Sequence, residues 1–524
     1  MRHEFDAIIV GAGVNSLACA VHLGGKGWRV GVFEQAETPG GAVKTLELTV
    51  PGYRHDWAAM NLSLFAGSGF FKAYGEDLMA RGLEFAPASH CFASVFDDGK
   101  WLGVSTGPGE TRARIAAFSE ADAQAWDQLC ADFPGAAEYV FALLGNPMQM
   151  HIQGRLLAKA LFRKGFSWTA DLVRLLLSSP RKWLSETFES DHVRATMAAW
   201  GMHLDFAPDM AGGAVFPYLE SMANQHFGMV IGKGGAETVT RALVSKIEAT
   251  GGEVHCGSQV TRVLRDGGKA TGIVLADGTE IKAGRAVIAN VAPGGLMSLL
   301  DGQSGDAGFD RKMGNFSHAP GTMMIHLALD GLPDWTASDE LKKFAYVHIA
   351  PSLDQMARTY QQAVAGQLPD EPVLVVGQPS VIDPSRAPDG KHVLWVQVRM
   401  VPAEILGDAA DKITDTDWAS VKEVYADRAI AMIERHAPGL KAKIIGRTVV
   451  SPLDLEADNP NLVGGDQVAG SHHLSQNFLF RPALGHATGK TPVEGLHLTG
   501  ASVWPGAGTG AGAGYMLAQK LGGK

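Results

Sequence analysis

A glycine turn with one acidic residue at a set distance is the feature of this sequence that points most directly to chemistry. Gly11 and Gly13 follow an apolar run at residues 5–10, and Glu34 lies about twenty residues further on. A helix starting at Val14 would offer unpaired N–H groups and a partial positive charge to a pyrophosphate. Gly13 would let the backbone approach phosphate, and Glu34 is placed to bind ribose hydroxyls. The stretch predicts a dinucleotide site; the alternative is a strand–helix–strand unit that binds nothing.

The third glycine of the usual turn pattern is replaced by Ser16, a small residue that still permits close packing of helix on strand. Val14 and Asn15 open the predicted helix, and Gln35 follows Glu34. We therefore include these four residues among the predicted contacts to the dinucleotide.

NAD and FAD both bind at such a turn, so other segments must decide between them. Gly40 and Gly41 come soon after Glu34 and allow backbone to pass close to a long, extended cofactor. Ala42 and Lys44 follow directly, and Lys44 is predicted either to approach the cofactor or to be solvated.

A second glycine-rich helix start lies near the C-terminus, after the predicted strand 496–500. Its amides near residues 508–512 could face the flavin ring edge and favour negative charge on the reduced ring. Trp504 is predicted to pack beside the ring, with a plain core tryptophan as the alternative. The predicted cofactor contacts in this segment are Gly500, Ala501, Trp504, Gly508, Thr509 and Gly510. One further contact, Val260, is predicted in the strand within residues 251–263.

These separated segments resemble the phytoene desaturase-like branch of the FAD-dependent desaturase and amine oxidase superfamily. GAGVNSL resembles the GxGxNGL start of that family, and GGAVKTLELTVPGYRHD and HLTGASVWPGAGTGAGAG resemble later segments. Within the branch, the likeness is strongest to bacterial proteins grouped with the animal pyridine nucleotide-disulfide oxidoreductase domain-containing protein 2. The resemblance implies FAD and an α/β fold. It further implies a Rossmann-type FAD-binding domain beside an α+β substrate domain built on a mixed or antiparallel sheet.

The resemblance also divides the chain into five segments. Residues 1–100, 222–315 and 450–524 would form the FAD domain. Residues 101–221 would supply the helical part of the substrate domain, and 316–449 its sheet. Strands are expected near 323–329, 345–349, 373–376 and 393–398, and an amphipathic helix at 418–436.

Catalytic residues are harder to choose than cofactor contacts. His226 precedes the segment that the resemblance places near the flavin, and Tyr218 lies just upstream of it. His472 and His473 fall in a later motif near Arg481. Histidine titrates near neutral pH and suits proton transfer, so these four are the catalytic candidates. The alternative for each is a hydrogen-bonded structural side chain. The resemblance also implies that no strong base is required, because in many desaturases of this kind a carbocation-like intermediate can lose its proton to a weak acceptor.

Composition limits which partners, metals and cellular locations are expected for this protein. A net charge of −10 argues against a nucleic-acid partner. The four cysteines form no CxxC pair and show no metal-ligand spacing, so we expect no metal and a reducing, cytoplasmic location. The first strand begins too early for a signal peptide, and no run of eighteen apolar residues occurs. A homo-oligomer is compatible with the sequence.

Residues 155–184 form one basic stretch in this acidic chain, with Leu, Phe and Trp between the cations. The segment is expected to be a helical pair. It would either contact a membrane surface peripherally and admit a lipid-soluble substrate, or pack one face on the domain and expose the other.

The sequence therefore predicts an FAD-dependent oxidoreductase that removes hydride from a C–H bond of a largely apolar organic substrate. A carotenoid-like polyene is the best-known substrate type of the family. Oxygen, a quinone or a redox partner would reoxidise the flavin, because only one complete dinucleotide fingerprint is visible. The alternatives are an amine or alcohol oxidase, a flavin-dependent isomerase, or a non-enzymatic, prenyl-binding escort-like protein.

Overall fold

The computed structural model describes residues 2–107, 109–508 and 510–523. Its strands, in chain order, are β1 (Glu4–Val10), β2 (Val30–Phe33), β3 (Thr45–Leu46), β4 (His55–Asp56), β5 (Phe85–Ala88), β6 (His90–Val95), β7 (Trp101–Ser105), β8 (Met229–Gly232), β9 (Glu253–His255), β10 (Val260–Asp266), β11 (Lys269–Leu275), β12 (Glu280–Ala289), β13 (Gly321–Leu329), β14 (Tyr346–Ile349), β15 (Gln367–Leu368), β16 (Val373–Gly377), β17 (His392–Val401), β18 (Gly407–Asp408), β19 (Ile444–Val450) and β20 (Leu496–Leu498).

The helices, also in chain order, are α1 (Val14–Gly25), α2 (Ser63–Ala66), α3 (Gly69–Ala80), α4 (Glu110–Ala116), α5 (Glu120–Leu144), α6 (Met150–Lys164), α7 (Phe166–Leu177), α8 (Pro180–Thr187), α9 (Asp191–Ala198), α10 (Val215–Phe227), α11 (Glu237–Ala249), α12 (Pro293–Leu299), α13 (Ala307–Gly314), α14 (Leu353–Val364), α15 (Trp418–His436), α16 (Leu440–Lys443), α17 (Pro452–Asp458) and α18 (Gly512–Gly522).

The first sheet carries the glycine turn. Its order is β10-β11-β12-β1-β2-β9, with β20 also paired to β12. β1 lies parallel between β12 and β2, so Ile8 aligns with Val287 on one side and Gly31 on the other. Helices cover both faces, which is why β1 is a nearly continuous apolar run. The predicted Rossmann-type fold is confirmed.

Two hydrophobic clusters hold this sheet between helices. On one face Leu17 of α1, Leu243 of α11 and Leu517 of α18 pack together with the strands. On the other face Leu296 of α12 and Phe309 of α13 pack against β1, β11 and β12. Because α1 is enclosed by the sheet, α11 and α18, its middle is buried all round rather than on a single stripe.

The second sheet has the order β19-β13-β17-β16-β14-β6-β7. β14 and β6 pair in parallel and the other neighbours are antiparallel, so this sheet is mixed. One face is apolar and is covered by α15. The opposite, inner face meets the helices of residues 110–227.

The strands expected at 323–329, 345–349, 373–376 and 393–398 are present, as is the helix at 418–436. The helical pair expected in 155–184 is wrong, since α6, α7 and α8 divide this region into three helices. Ser179 accepts a hydrogen bond from the Lys182 amide and Pro180 follows it, which starts a new helix there. The five-segment domain division stays a prediction; β6 and β7 pair within the second sheet.

Candidate functional site

The glycine turn gives the N-terminus of α1 no side-chain cap. Gly13 is the N-cap of α1 and makes no side-chain capping bond, so backbone N–H groups stay available to an anion. Gly11 has a φ of +85°, and its N–H donates to the Phe33 carbonyl at 2.7 Å. A Cβ atom on Gly13 would lie 3.2 Å from Asn290 Nδ2. The turn therefore has the shape that a pyrophosphate requires.

Glu34 joins the turn to the end of β2. Its Oε2 accepts the Ala12 N–H at 2.6 Å and its Oε1 accepts the Ala36 N–H at 2.9 Å. The carboxylate is half-buried, and Gln35 beside it is exposed. Val260 is the first residue of β10. The loop before it contacts the end of β2, because the Ser258 N–H donates to the Glu34 backbone carbonyl at 2.7 Å.

The second pair of glycines packs against the first turn. The Gly40 N–H donates to the Ala12 carbonyl at 2.9 Å, and Gly13 and Gly40 form a parallel bridge. Gly40 has a φ of +124°, and a Cβ atom on it would lie 2.4 Å from the Val43 carbonyl oxygen. Only glycine fits here, so two backbone turns meet without side chains between them.

A cleft of about 220 Å³ opens where these turns meet the C-terminal segment. It is lined by predicted contacts, namely Gly13, Val14, Asn15, Gly40, Gly41, Ala42, Ala501 and Gly508. It is also lined by polar residues that the sequence analysis missed, namely Asn290, Asn459, Asn461 and Gln467. The donors and the glycine backbone in this cleft suit the phosphates and ribose of a dinucleotide.

Asn290 is the centre of this missed group. Its Nδ2 donates to the Ser16 hydroxyl at 2.8 Å, and its carbonyl accepts from Asn461 Nδ2 at 3.0 Å. Ser16 is therefore a hydrogen-bond acceptor as well as a small residue in the place of the third glycine. Asn290 follows β12 at the carboxyl edge of the first sheet, where ligands of such sheets bind, and that position was the signal available in the sequence.

The C-terminal helix start also lies against the turn. The Gly514 N–H donates to Asn15 Oδ1 at 3.2 Å. A Cβ atom on Gly500 would lie 2.0 Å from Asn290 Oδ1, and one on Gly510 would lie 3.5 Å from the Leu64 carbonyl. Thr509 lies outside the described residues. The helix itself begins at Gly512.

Trp504 and Lys44 each contact other side chains of the protein. Trp504 stacks on Phe478 with ring centroids 5.4 Å apart, and its Nε1 donates to the Asn146 carbonyl at 3.1 Å. The Lys44 ammonium lies 2.7 Å from both carboxylate oxygens of Asp458. Lys44 is buried, so the solvated alternative is wrong, and its charge is neutralised by Asp458.

The two adjacent histidines have different surroundings. His472 Nε2 accepts the Ala507 N–H at 3.1 Å, and a Cβ atom on Gly506 would lie 2.5 Å from that nitrogen. Burial, with the nearby Arg481 cation, lowers the pKa of His472 well below its usual range, so the ring is a neutral acceptor. His472 thus holds the loop that brings Gly508 to the cleft.

His473 belongs to a buried polar cluster around Asp205. Its Nε2 lies 3.0 Å from the Asp205 carbonyl and 3.3 Å from the Tyr360 hydroxyl. The Asp205 carboxylate accepts the Tyr360 hydroxyl at 2.9 Å and the Ser471 hydroxyl at 2.6 Å. Burial raises the pKa of Asp205 above its ordinary value. This arrangement can orient the His473 ring for proton transfer.

Tyr218 and His226 lie elsewhere, on the face of α10 that packs against α5. Both rings contact Phe133, at 5.9 Å and 4.9 Å between centroids, and His226 Nδ1 donates to the Met222 carbonyl at 2.9 Å. Neither residue lines the cleft. The structure therefore does not bring these two candidates together with His472 and His473.

Glu220, which the sequence analysis did not select, occupies the opposite side of α10. Helical periodicity turns it away from Tyr218 and Met222. Its charge contributes to raising the pKa of Tyr346, a β14 residue on the inner face of the second sheet. Burial raises the pKa of Glu220 itself to about 7. A carboxyl group that titrates near neutral pH can accept or donate a proton, or hold a cation.

The inner face of the second sheet is polar and aromatic where it approaches the cleft. Alternate residues of its strands point there, among them Thr322, Met324, His326, Tyr346, His348, Trp395, Gln397 and Arg399. Gln467 of the cleft accepts from Gln397 Nε2 at 2.6 Å, and its own Nε2 donates to the Met324 sulfur at 3.2 Å. Gln467 thus connects the lining of the cleft to the inner face of the second sheet.

Within the residues that the structure describes, no group of three His, Cys, Asp or Glu side chains could hold a metal ion. In the same residues, no helix combines the length and the apolar character that crossing a bilayer requires.

A Rossmann-type sheet with two apposed glycine turns and an acid at the end of β2, beside a second, mixed sheet, is the arrangement of an FAD-dependent oxidoreductase. The family model described as flavin containing amine oxidoreductase matches residues 17–433, and the chain belongs to that family. FAD is accordingly its cofactor.

Individual relatives agree with this assignment. The chain is 26% identical to pyridine nucleotide-disulfide oxidoreductase domain-containing protein 2 of Rattus norvegicus, over 98% of this chain and 92% of the relative. It is also 26% identical to the neurosporene-forming phytoene desaturase of Rhodobacter capsulatus, over 98% and 93%. The crystal structure of a Methanosarcina mazei oxidoreductase superposes with a TM-score of 0.63 at 17% identity, covering 98% of this chain and 99% of that one.

Proposed function

We propose that this protein removes hydride from a C–H bond of a largely apolar organic substrate, which binds between the FAD cleft and the inner face of the second sheet. The observation that supports this most directly is the group of aromatic and methionine side chains on and around that face. Trp200, Tyr346 and Trp395 lie around it with ring centroids 5.9–6.2 Å apart, and Met60 and Met324 belong to the same apolar cluster. Aromatic and thioether side chains suit a flat, apolar molecule.

The residues of the chain would bind, orient and desolvate the substrate, while bound FAD supplies the hydride acceptor. The aromatic walls exclude water from the reacting carbon. Glu220 and the His473–Asp205 pair are the two groups that can take up a proton when the substrate loses one. Relatives named phytoene desaturases support a carbon–carbon desaturation with an apolar substrate.

An amine or alcohol oxidase is the second candidate, and Glu220 is the observation that favours it. Among the residues that the structure describes, no hydrogen bond or ion pair occupies the Glu220 carboxylate, and Tyr346 lies within range of its charge. A carboxylate in such surroundings would hold a substrate ammonium or hydroxyl group.

Anaerobic bleaching of the flavin band separates the two candidates. The purified holoprotein would be mixed with a polyene in detergent micelles, with long-chain amines and with long-chain alcohols. We expect the polyene to bleach the flavin, and Glu220→Gln to slow that bleaching most at pH values above 7, where the wild-type carboxylate accepts protons.

Bleaching by amines or alcohols alone would overturn the desaturase proposal in favour of the second candidate. Tyr218→Phe serves as the control, because Tyr218 faces α5 rather than the sheet and its loss should leave the rate unchanged. Readmission of oxygen or of a soluble quinone to the bleached enzyme would then identify the electron acceptor.

A further inference from the structure

The connection between α6 and α7 carries an exposed apolar surface. Phe162 is 91% exposed and Phe166 is 79% exposed, with Leu157 and Leu161 also exposed on α6. We call the pair of helices α6 and α7 the hairpin, and residues 157–166 the hairpin tip. Large aromatic side chains this exposed are unusual for a surface that meets only water.

The remainder of the hairpin is anchored to the protein. Trp168 of α7 packs on Tyr139 of α5 with ring centroids 5.2 Å apart, and Leu172, Leu175 and Leu176 pack against the helical core. The tip is therefore presented by helices that pack on the protein rather than by a long loop. Gly165, with a φ of +87°, makes the sharp turn that places Phe162 and Phe166 on either side of it.

Positive charge surrounds this apolar tip. Helices α6 and α7 carry five Lys or Arg residues and one Asp, in a chain whose net charge is −10. Lys159 pairs with Glu138 and Arg174 pairs with Glu186. In the part of the chain that the structure describes, no ion pair involves Arg155, Arg163 or Lys164, and all three are exposed. The Lys164 ammonium lies over the Trp168 ring, 5.6 Å from its centroid.

The cations further along the basic stretch are already neutralised. Arg181 bridges Asp209 and Asp354, and Lys182 pairs with Glu186. The charge available to a partner is thus concentrated at the tip, beside the two exposed phenylalanines.

We propose that the hairpin tip docks this protein on an anionic lipid surface. Phe162 and Phe166 would enter the interface between headgroups and acyl chains, while Arg155, Arg163 and Lys164 would contact lipid phosphates. A second copy of the chain fits this surface less well. A twofold contact would bring the same patch together from both copies and would therefore oppose cation to cation.

Vesicle co-sedimentation of the FAD-loaded protein tests this docking directly. The probes would be phosphatidylcholine vesicles with and without about one third phosphatidylserine. We expect binding to the anionic vesicles at low salt, and weaker binding at high salt because exposed charges are screened. Arg163→Gln with Lys164→Gln should bind roughly 25-fold more weakly, about fivefold for each cation removed.

Phe162→Ser with Phe166→Ser should abolish the binding that persists at high salt. Two matched controls carry equivalent changes at exposed positions elsewhere, namely Val424→Ser with Leu453→Ser and Lys72→Gln with Lys441→Gln, and both should bind like wild type. Retention of the flavin spectrum shows that each variant is folded.

Two results would overturn the proposal. One is wild-type protein that stays in the supernatant with anionic vesicles at low salt. The other is binding that the tip variants and the controls share equally. If sedimentation velocity instead shows a dimer that Phe162→Ser with Phe166→Ser dissociates, the tip is an interface between copies and the lipid proposal fails.

Discussion

Glu34 shows how a single carboxylate can hold a turn and still serve a ligand. Each of its oxygens accepts one backbone N–H of the turn region, which leaves further lone pairs for ribose hydroxyls. The predicted ribose contact and the observed backbone contacts are therefore compatible roles for one side chain.

We expect Glu34→Ala to weaken FAD binding about 10- to 100-fold, because two backbone amides lose a charged acceptor at the turn. Glu34→Asp should weaken it less, since it keeps the charge. FAD dissociation constants from fluorescence titration would measure this. Glu37→Ala, an exposed neighbour, is the control. Equal affinities for Glu34→Ala and wild type would remove Glu34 from the site.

Glu220 should make stability depend on pH. Burial raises the pKa of this carboxyl from 4.5 to about 7, so the native state resists its ionisation. Compared with a variant that has a neutral side chain at this position, the wild-type protein therefore keeps its full free energy of unfolding below pH 4.5. It loses part of that free energy as the pH rises through about 7.

Glu220→Gln should consequently match wild type below that range and exceed it above pH 7, by on the order of 1–3 kcal/mol in the free energy of unfolding. Urea unfolding across this pH range is the measurement, with the exposed Glu248→Gln as the control. A difference that does not change with pH would contradict the argument.

Residues with a fixed spacing were predictable, and residues brought together by topology were not. The glycine turns, Glu34 and Asn15 follow a linear pattern, and the structure places them at the cleft or beside it. Asn290, Asn461 and Gln467 come from distant strands and loops, so no local spacing identifies them. Glu220 depends on which face of α10 meets the sheet, and periodicity alone does not decide between two largely buried faces.

At the scale of elements, α18 packs on α1 through a glycine. A Cβ atom on Gly514 would lie 1.8 Å from the Asn15 carbonyl oxygen, which is backbone and cannot move aside without shifting α1. The contact fixes the distance between the two helix starts that flank the cleft.

Gly514→Ala should therefore destabilise the protein by about 3 kcal/mol or more and reduce flavin retention, as overpacked sites do. Gly154→Ala is the matched control, because Gly154 lies within α6 with nothing within 4 Å of an added Cβ. That change should stabilise by about 0.5–1 kcal/mol. Thermal unfolding of both variants is the test, and equal behaviour would show that α18 can move.

Elements with strong periodicity or clear breakers were predicted well. β1, β17 and α15 have continuous apolar runs or a well-defined amphipathic pattern, and they appear at the expected positions. In the basic stretch, residues 155–184, two helices were predicted and three are present. The helix start at Ser179–Pro180 was missed because it lies inside an apolar, helix-forming sequence. The order of the strands in the second sheet depends on long-range pairing, which local sequence does not encode.

At the scale of the whole molecule, Arg386 connects the segment after β16 to β4 and β8. Its guanidinium is fully buried and donates to Asp56 and to Asp383 at 2.9 Å, and to the Gly232 carbonyl at 2.8 Å. Asp56 lies in β4 and Gly232 in β8, which belong to two separate two-stranded sheets, whereas Arg386 follows β16 of the second sheet.

Arg386→Met should leave two carboxylates buried without their cation and lower the free energy of unfolding by about 3–5 kcal/mol. Arg358→Met removes an arginine whose side chain is 50% exposed and which pairs with Asp370 at 3.4 Å, and it should change stability by less than about 1 kcal/mol. Urea unfolding compares them, and similar losses in both variants would refute the argument.

The dinucleotide cleft leads to a prediction about electron flow. In the described part of the chain, only the turn after β1 combines the glycines, the helix start and the acid of a dinucleotide fingerprint. We expect neither NADH nor NADPH to reduce the flavin rapidly under nitrogen. Stopped-flow mixing is the measurement, and bleaching within seconds at micromolar nucleotide would reveal a site of a different kind.

The contact between Asn15 and Gly514 also has a consequence for biosynthesis. The two residues are 499 positions apart, so on the ribosome α1 emerges long before its partner helix exists. At about 5–20 residues per second the interval is roughly 25–100 s. During that time Leu17 and its apolar neighbours on α1 lack the cover that Leu517 later provides. Uptake of FAD therefore belongs to the end of synthesis, and the nascent chain should depend on chaperones until then.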